Sequence, residues 1–224
     1  MHQLLMKKPL KTGLILVCLT ASSLFLASTL KAQGSDPYKD QYEVLDFPQE
    51  PDDSEKIEVL EFFWYGCRHC YESEGPLKAW LKNQPDDVEF ISIPAISSHW
   101  KPLAKAYYAA EDLGRLEELH PKMFQAIHEK KQYDITTKEE AIEQFFAQNG
   151  VSKKDLAKAY NSFHVYRQMP YAEDMTDLYN VTSVPAIFVN GKYRLRNVGG
   201  HKKMLKALDY LIEKERQQMG LSSN

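Results

Sequence analysis

Cys67 and Cys70 stand two residues apart, with Arg68 and His69 between them. A cysteine that opens a helix meets unpaired backbone N–H groups and the positive end of the helix dipole. Both favour the thiolate, the attacking species in disulfide exchange. Cys67 is expected at such a start, and Cys70, one turn later, is placed to resolve a mixed disulfide formed at Cys67. A C-x-x-C pair by itself also fits half of a zinc site or an accidental pair. Zinc would need two further ligands. His69 and His99 are candidates, but there is no second cysteine pair and no closely spaced histidine pair, so no metal is expected. No cofactor is expected either. A disulfide across two residues closes too short a loop to stabilise a fold much, which points to a chemical rather than a structural purpose.

The elements around the pair follow from periodicity. Ile57, Val59, Leu60, Phe62, Phe63 and Trp64 form a nearly continuous apolar run, the pattern of a central strand covered on both faces. Glu61 lies inside it. A carboxylate there is costly when charged and tends towards a raised pKa; the alternative is a surface acid at a strand edge. From Cys67 the period becomes helical through Tyr71, Leu77, Trp80 and Leu81 to about Asn83, with a kink expected at Gly75-Pro76. Val88, Phe90, Ile91 and Ile93 make a second buried strand ending at Pro94. The result is a strand-helix-strand unit with Cys67 at the first junction. Before it, Tyr42, Val44 and Phe47 suggest a short edge strand, and residues 33–41 a loose polar arm.

Residues 99–180 read as a helical block. Thr136 with Glu139 fits a capping box, Asn149-Gly150 a helix stop, and Ser152 a further cap. Strand character returns at Ala186–Val189. Asn190-Gly191 then predicts a two-residue hairpin into Tyr193 and Leu195, and Met204, Leu205, Leu208, Leu211 and Ile212 give a last amphipathic helix.

The first residues set the compartment. Lys7, Lys8 and Lys11 precede an apolar run from Gly13 to Leu30, and Ala32-Gln33-Gly34 offers a processing point, so residues 1–32 read as a secretory signal, with an uncleaved membrane anchor as the alternative. Cys18 is a passenger of that signal; Val17 before it is too large for a lipidation site. Without the signal the chain keeps 24 basic against 31 acidic residues, a net charge of −7. This balance argues against nucleic acid or anionic lipid as the main partner.

Val59-Leu60-Glu61-Phe62-Phe63, then Cys67-Arg68-His69-Cys70-Tyr71, then Val184 through Tyr193 together resemble the DsbA family of bacterial periplasmic thiol oxidases. The resemblance spans most of the mature chain and implies a thioredoxin-like α/β fold over 42–98 and 181–220, interrupted by a helical domain over 99–180. It implies that Cys67 is the nucleophile, Cys70 its resolving partner and His69 a stabiliser of the thiolate. Arg68 replaces the proline of familiar members and puts a fixed positive charge beside the sulfur. Pro185 matches a cis-proline facing the cysteines, so that Val184 would offer its backbone groups to an extended client strand. Glu61 matches a buried acid near Cys70 and is read as its proton relay, although the accompanying lysine of some members is absent from Val88–Pro94. Trp64, Tyr65, Trp100 and Met169-Pro170-Tyr171 are possible client contacts, or core.

The resemblance implies a donor of disulfides to newly exported cysteine-containing proteins, monomeric, in the periplasm, and reoxidised by a DsbB-like quinone-linked membrane oxidase. The alternatives are an isomerase or a specialised reductase of the same fold, or a redox-silent chaperone that only holds unfolded clients.

Overall fold

The computed structural model describes residues 36–51, 53–196 and 198–221. The expected export signal at 1–32 lies outside them. Five strands form one sheet: β1 (Tyr42–Val44), β2 (Ile57–Phe63), β3 (Val88–Pro94), β4 (Ala186–Val189) and β5 (Tyr193–Leu195), in the order β1-β5-β4-β2-β3. All seven residues of β2 are buried, as expected of a strand flanked on both edges and covered on both faces. It pairs parallel with β3, Ile57 opposite Val88 through Phe63 opposite Pro94, and antiparallel with β4, Val59 opposite Val189. The parallel pair is joined by α1 (Arg68–Leu81), which completes the strand-helix-strand unit. The helix runs through Pro76 without ending there.

Between β3 and β4 the chain forms α2 (Lys101–Asp112), α3 (Leu116–His128), α4 (Glu139–Gln148), α5 (Lys153–Tyr160) and α6 (Phe163–Leu178); α7 (His201–Met219) closes it. This is a thioredoxin-like fold with a helical insertion. Alternation along the strands divides the core in two. Ile57, Val59, Ile187 and Val189 pack with Leu77 and Trp80 of α1 and with Leu208 and Leu211 of α7. Leu60, Phe62, Ala186 and Phe188 pack instead with the inserted helices, through residues such as Leu103, Phe124 and Phe146. Polar ties fix α7 in place: Trp80 Nε1 donates to Asp209 at 2.6 Å, and Arg216 grips Asp87 through two nitrogens at 2.6 and 2.9 Å. Among the described residues no helix is long and apolar enough to cross a membrane.

Four local expectations fail for identifiable reasons. β3 is not buried throughout: residues 88–92 are only half-buried, because β3 is an edge of the sheet. β1 stops at Val44, and Phe47 is 83% exposed, because the pairing with β5 lasts only three residues. The capping box does not form. Thr136 belongs to a 3-10 turn and donates its hydroxyl to Tyr133 O, while Lys138 precedes α4 without a side-chain cap. Ser152 does cap α5, accepting from Asp155 N at 3.1 Å. The hairpin is one residue longer than its signal: Val189 pairs with Tyr193, and Lys192 N closes the turn on Val189 O.

Asn190 and Gly191 both have positive φ, 51° and 62°, in that turn. A Cβ on Gly191 would also overlap the backbone of Gln49, whose N–H donates to Gly191 O at 2.8 Å. Gly191→Ala should therefore cost about 2 kcal/mol or more in urea unfolding, from strain and clash together.

Candidate active site

Cys67 is the N-cap of α1. Its backbone is extended, at φ −82° and ψ 118°, and its N–H donates to Trp64 O at 2.9 Å, so the chain turns directly from β2 into the helix. Cys70 N donates to Cys67 Sγ at 3.4 Å. The pair is a dithiol of two unlike sulfurs. Cys67 is partly exposed and its pKa is lowered to about 6. The leading cause is the hydrogen bond from the Cys70 thiol, opposed by partial burial and then aided by the N–H groups of Cys70 and His69 and by the His69 charge. Cys70 is 1% exposed, and burial first, then its role as donor to Cys67, pushes its pKa far above the ordinary thiol range.

The loop before β4 meets this helix start. The Val184–Pro185 peptide bond is cis, and Cys67 Sγ donates to Val184 O at 3.3 Å. Arg68 and His69 lie on the outer face. The Arg68 guanidinium pairs with Glu72 Oε1 at 2.8 Å and lies over the Tyr71 ring, 5.5 Å from its centre. It is thus engaged one turn along the helix, and its charge is not among the causes that lower Cys67. The side chain of His69 is 74% exposed and meets Glu72 Oε2 at 3.3 Å. His99 is far from being a fourth ligand to anything: its ring pairs with Ser98 Oγ, and among the described residues no group of three or more His, Cys, Asp or Glu side chains is placed to hold a metal ion.

Glu61 is 2% exposed, in the middle of β2 rather than at a surface edge. Burial, followed by repulsion from Glu74, raises its pKa to about 8, while a 3.2 Å hydrogen bond from Ser92 Oγ opposes the rise. Its charge also helps to raise the pKa of Cys70.

The expected aromatic contacts separate. Trp64 and Trp100 stack at 5.3 Å, both partly exposed, whereas Tyr65 belongs to the core and Met169 and Tyr171 pack against it. Tyr65 therefore offers no surface to a client. Its hydroxyl instead meets His120 Nδ1 at 2.8 Å, and His120 Nε2 meets Glu74 Oε1 at 3.1 Å. His128 Nε2 reaches Tyr65 O at 2.8 Å and its ring stacks on Tyr71. The motif reading missed His120, His128 and Glu74. For Glu74 there was a signal, since a residue four after Cys70 lies on the same helix face; the histidines come from α3, and nothing local marks them.

A partly exposed, acidic sulfur at a helix start, backed by a buried partner on a thioredoxin-like sheet, defines a class: this is a thiol:disulfide oxidoreductase. Comparison with known proteins narrows it. The DSBA-like thioredoxin domain matches residues 96–211. The thiol:disulfide interchange protein DsbA of Pseudomonas aeruginosa is 42% identical over 164 residues, covering 72% of this chain and 77% of that one. The DsbA of Burkholderia cepacia is 38% identical over 191 residues, 84% and 87% of the two chains. The crystal structure of the Pseudomonas aeruginosa protein superposes with a TM-score of 0.72 at 39% identity, covering 80% of this chain and 93% of that one. The chain belongs to the DsbA family.

Proposed function

We propose that this protein donates disulfides to newly exported cysteine-containing proteins through Cys67 and Cys70. A client thiolate attacks Cys67 Sγ, the Cys67–Cys70 bond breaks, and Cys70 leaves with the electron pair and takes a proton from Glu61. A second client thiolate then attacks the client sulfur of the mixed disulfide and releases Cys67 as a thiolate. The client has lost two electrons and the enzyme has gained them.

The observation that carries this reading is the inequality of the two sulfurs. A thiolate near pKa 6 is a good leaving group, and its stability lowers the free energy of the dithiol relative to the disulfide, so the disulfide is readily handed on. His69 supports that thiolate with its N–H and its charge. Arg68, held outward by Glu72, faces arriving clients. Val184 O is occupied by the Cys67 thiol only while that sulfur keeps its proton. Ionisation or oxidation of Cys67 removes this donor and leaves the carbonyl to accept an N–H from a client strand laid beside Val184 and Pro185, a mode that reads backbone rather than sequence and suits varied clients.

We place the enzyme in the periplasm as a monomer, delivered by the signal at 1–32, with electrons passed to a DsbB-like quinone-linked membrane oxidase. We divide it into a thioredoxin-like part, 42–98 with 181–220, and an inserted helical domain, 99–180. Equilibration with glutathione tests the direction of transfer. The expected potential lies above about −200 mV; a value near the roughly −270 mV of thioredoxin would assign the protein to reduction instead.

A further inference from the structure

Gly199 and Gly200, at φ 89° and 83°, turn the chain into α7, and the first residue of that helix, His201, reaches across to α1. There His201 Nε2 lies 3.0 Å from Ser73 Oγ. Ser73 is fully buried, on the face of α1 that also carries Leu77 and Trp80. A hydroxyl removed from water needs partners, and this one has a second: it donates to His69 O, one turn back, at 2.8 Å. Serine has a single hydroxyl hydrogen, and a carbonyl oxygen can only accept. That hydrogen therefore goes to His69 O, and Ser73 Oγ meets the imidazole as an acceptor. Nε2 carries a hydrogen in this arrangement whether the ring is neutral or charged.

His69 O and Cys70 N are the two ends of one peptide group. Its N–H donates to Cys67 Sγ at 3.4 Å, and this donation is one of the causes that favour the thiolate. Imidazole, hydroxyl, peptide and sulfur thus line up donor to acceptor. Hydrogen bonds in such a chain polarise one another, so a donor at the carbonyl strengthens the N–H at the other end of the same group. It also holds the peptide plane in its aim at the sulfur. We propose that His201 and Ser73 are positioning residues for Cys67: they fix the His69–Cys70 peptide group with its N–H on the sulfur, and so make Cys67 a better leaving group when the second client thiolate releases it. Neither side chain touches the sulfur. The charge that favours the thiolate is that of His69, and the route from His201 runs through bonds instead. This assignment rests on the reading of Cys67 as the stabilised thiolate given above, and it extends the site to α7, outside the strand-helix-strand unit.

The test is the pH dependence of Cys67 alkylation in the reduced protein, read together with the equilibrium against glutathione at pH 7. Ser73→Ala removes the middle of the chain and should raise the alkylation midpoint by about half a pH unit. His201→Leu leaves Ser73 without its donor and should raise it by about 0.3, which moves the glutathione equilibrium about twofold towards the disulfide form of the enzyme. His201→Gln keeps an N–H donor without a charge and should restore both values. In a Ser73→Ala background His201→Leu should have no further effect. A role confined to packing α7 against α1 would lower the urea midpoints of these variants and leave the alkylation midpoint in place, and that result overturns the assignment. So does a shift in His201→Leu that persists without the Ser73 hydroxyl, or one that His201→Gln does not reverse. Should Ser73→Ala not fold, the two His201 variants decide alone: a midpoint raised by leucine and restored by glutamine supports the relay, and any other pattern refutes it. A midpoint of about 8.5 in the unaltered protein is a distinct failure, because it removes the stabilised thiolate itself and the relay with it.

Discussion

Alkylation of the reduced protein should titrate with a midpoint near pH 6, about three pH units below an ordinary thiol of this chain, and Cys67→Ser should remove both that titration and all disulfide transfer. At pH 7 such a sulfur is about nine-tenths ionised, against a few per cent for a free cysteine. The sign of the pH dependence follows from the depressed pKa. Stabilisation of the dithiol by the thiolate is complete above the ordinary thiol range and is lost as pH falls through about 6. The protein should consequently become a weaker disulfide donor below that value, relative to glutathione. Arg68→Ala should leave the midpoint in place, because the guanidinium is bound to Glu72 rather than to the sulfur. Cys70→Ala should raise the midpoint, because it removes the thiol whose hydrogen bond is the largest cause of the shift. A midpoint near 8.5 in the unaltered protein would remove the physical basis for disulfide donation.

The parts of this site that the sequence made legible are the ones written in local pattern. The apolar run of β2 and the change of period at Cys67 sufficed to place the cysteines at a strand-to-helix junction, whereas Pro185 facing them came only from the family resemblance. Glu61 could be found because it stands between Leu60 and Phe62 inside an apolar run, and its burial agrees with that reading, although Glu58 shares the strand and is buried too. What stayed hidden depends on distant elements meeting. Tyr65 and His120 are 55 residues apart, and Glu74 and His120 are 46 apart; only the packing of α3 against α1 makes them one cluster. Tyr65 reads as either a client contact or core until that packing is known. The failed capping box has the opposite cause. Thr136 and Glu139 have the right spacing, but the preceding 3-10 turn takes the Thr136 hydroxyl for its own carbonyl, and the helix begins after Lys138 instead. Arg68 was read by its charge alone, when the acid four residues on, Glu72, is the partner that helical spacing supplies.

Glu61→Gln should stabilise the oxidised protein in alkaline solution and leave it nearly unchanged in acid. Both cysteines are then in a disulfide and do not titrate, which isolates the carboxyl group. Its pKa rises from an unfolded value of 4.5 to about 8, so the folded state binds the proton more tightly than the unfolded chain. A raised pKa contributes stability that is fully present below about 4.5 and is lost as pH rises through about 8. The gap corresponds to on the order of 5 kcal/mol for a group buried as completely as this one. Glutamine keeps the size and can still accept from Ser92, but it carries no charge to desolvate. Urea unfolding at pH 5 and pH 9 should show the unaltered protein losing several kcal/mol between the two, and Glu61→Gln losing much less. The same substitution should slow the opening of the Cys67–Cys70 bond at neutral pH, where Glu61 still carries its proton, because an amide has no acidic proton to give to Cys70. Stability gained above pH 8 together with exchange lost at pH 7 is the signature of a buried acid retained for proton transfer at a cost to the fold. Equal stability curves for the two proteins would mean that Glu61 is ionised in the folded state at neutral pH and has no proton to deliver.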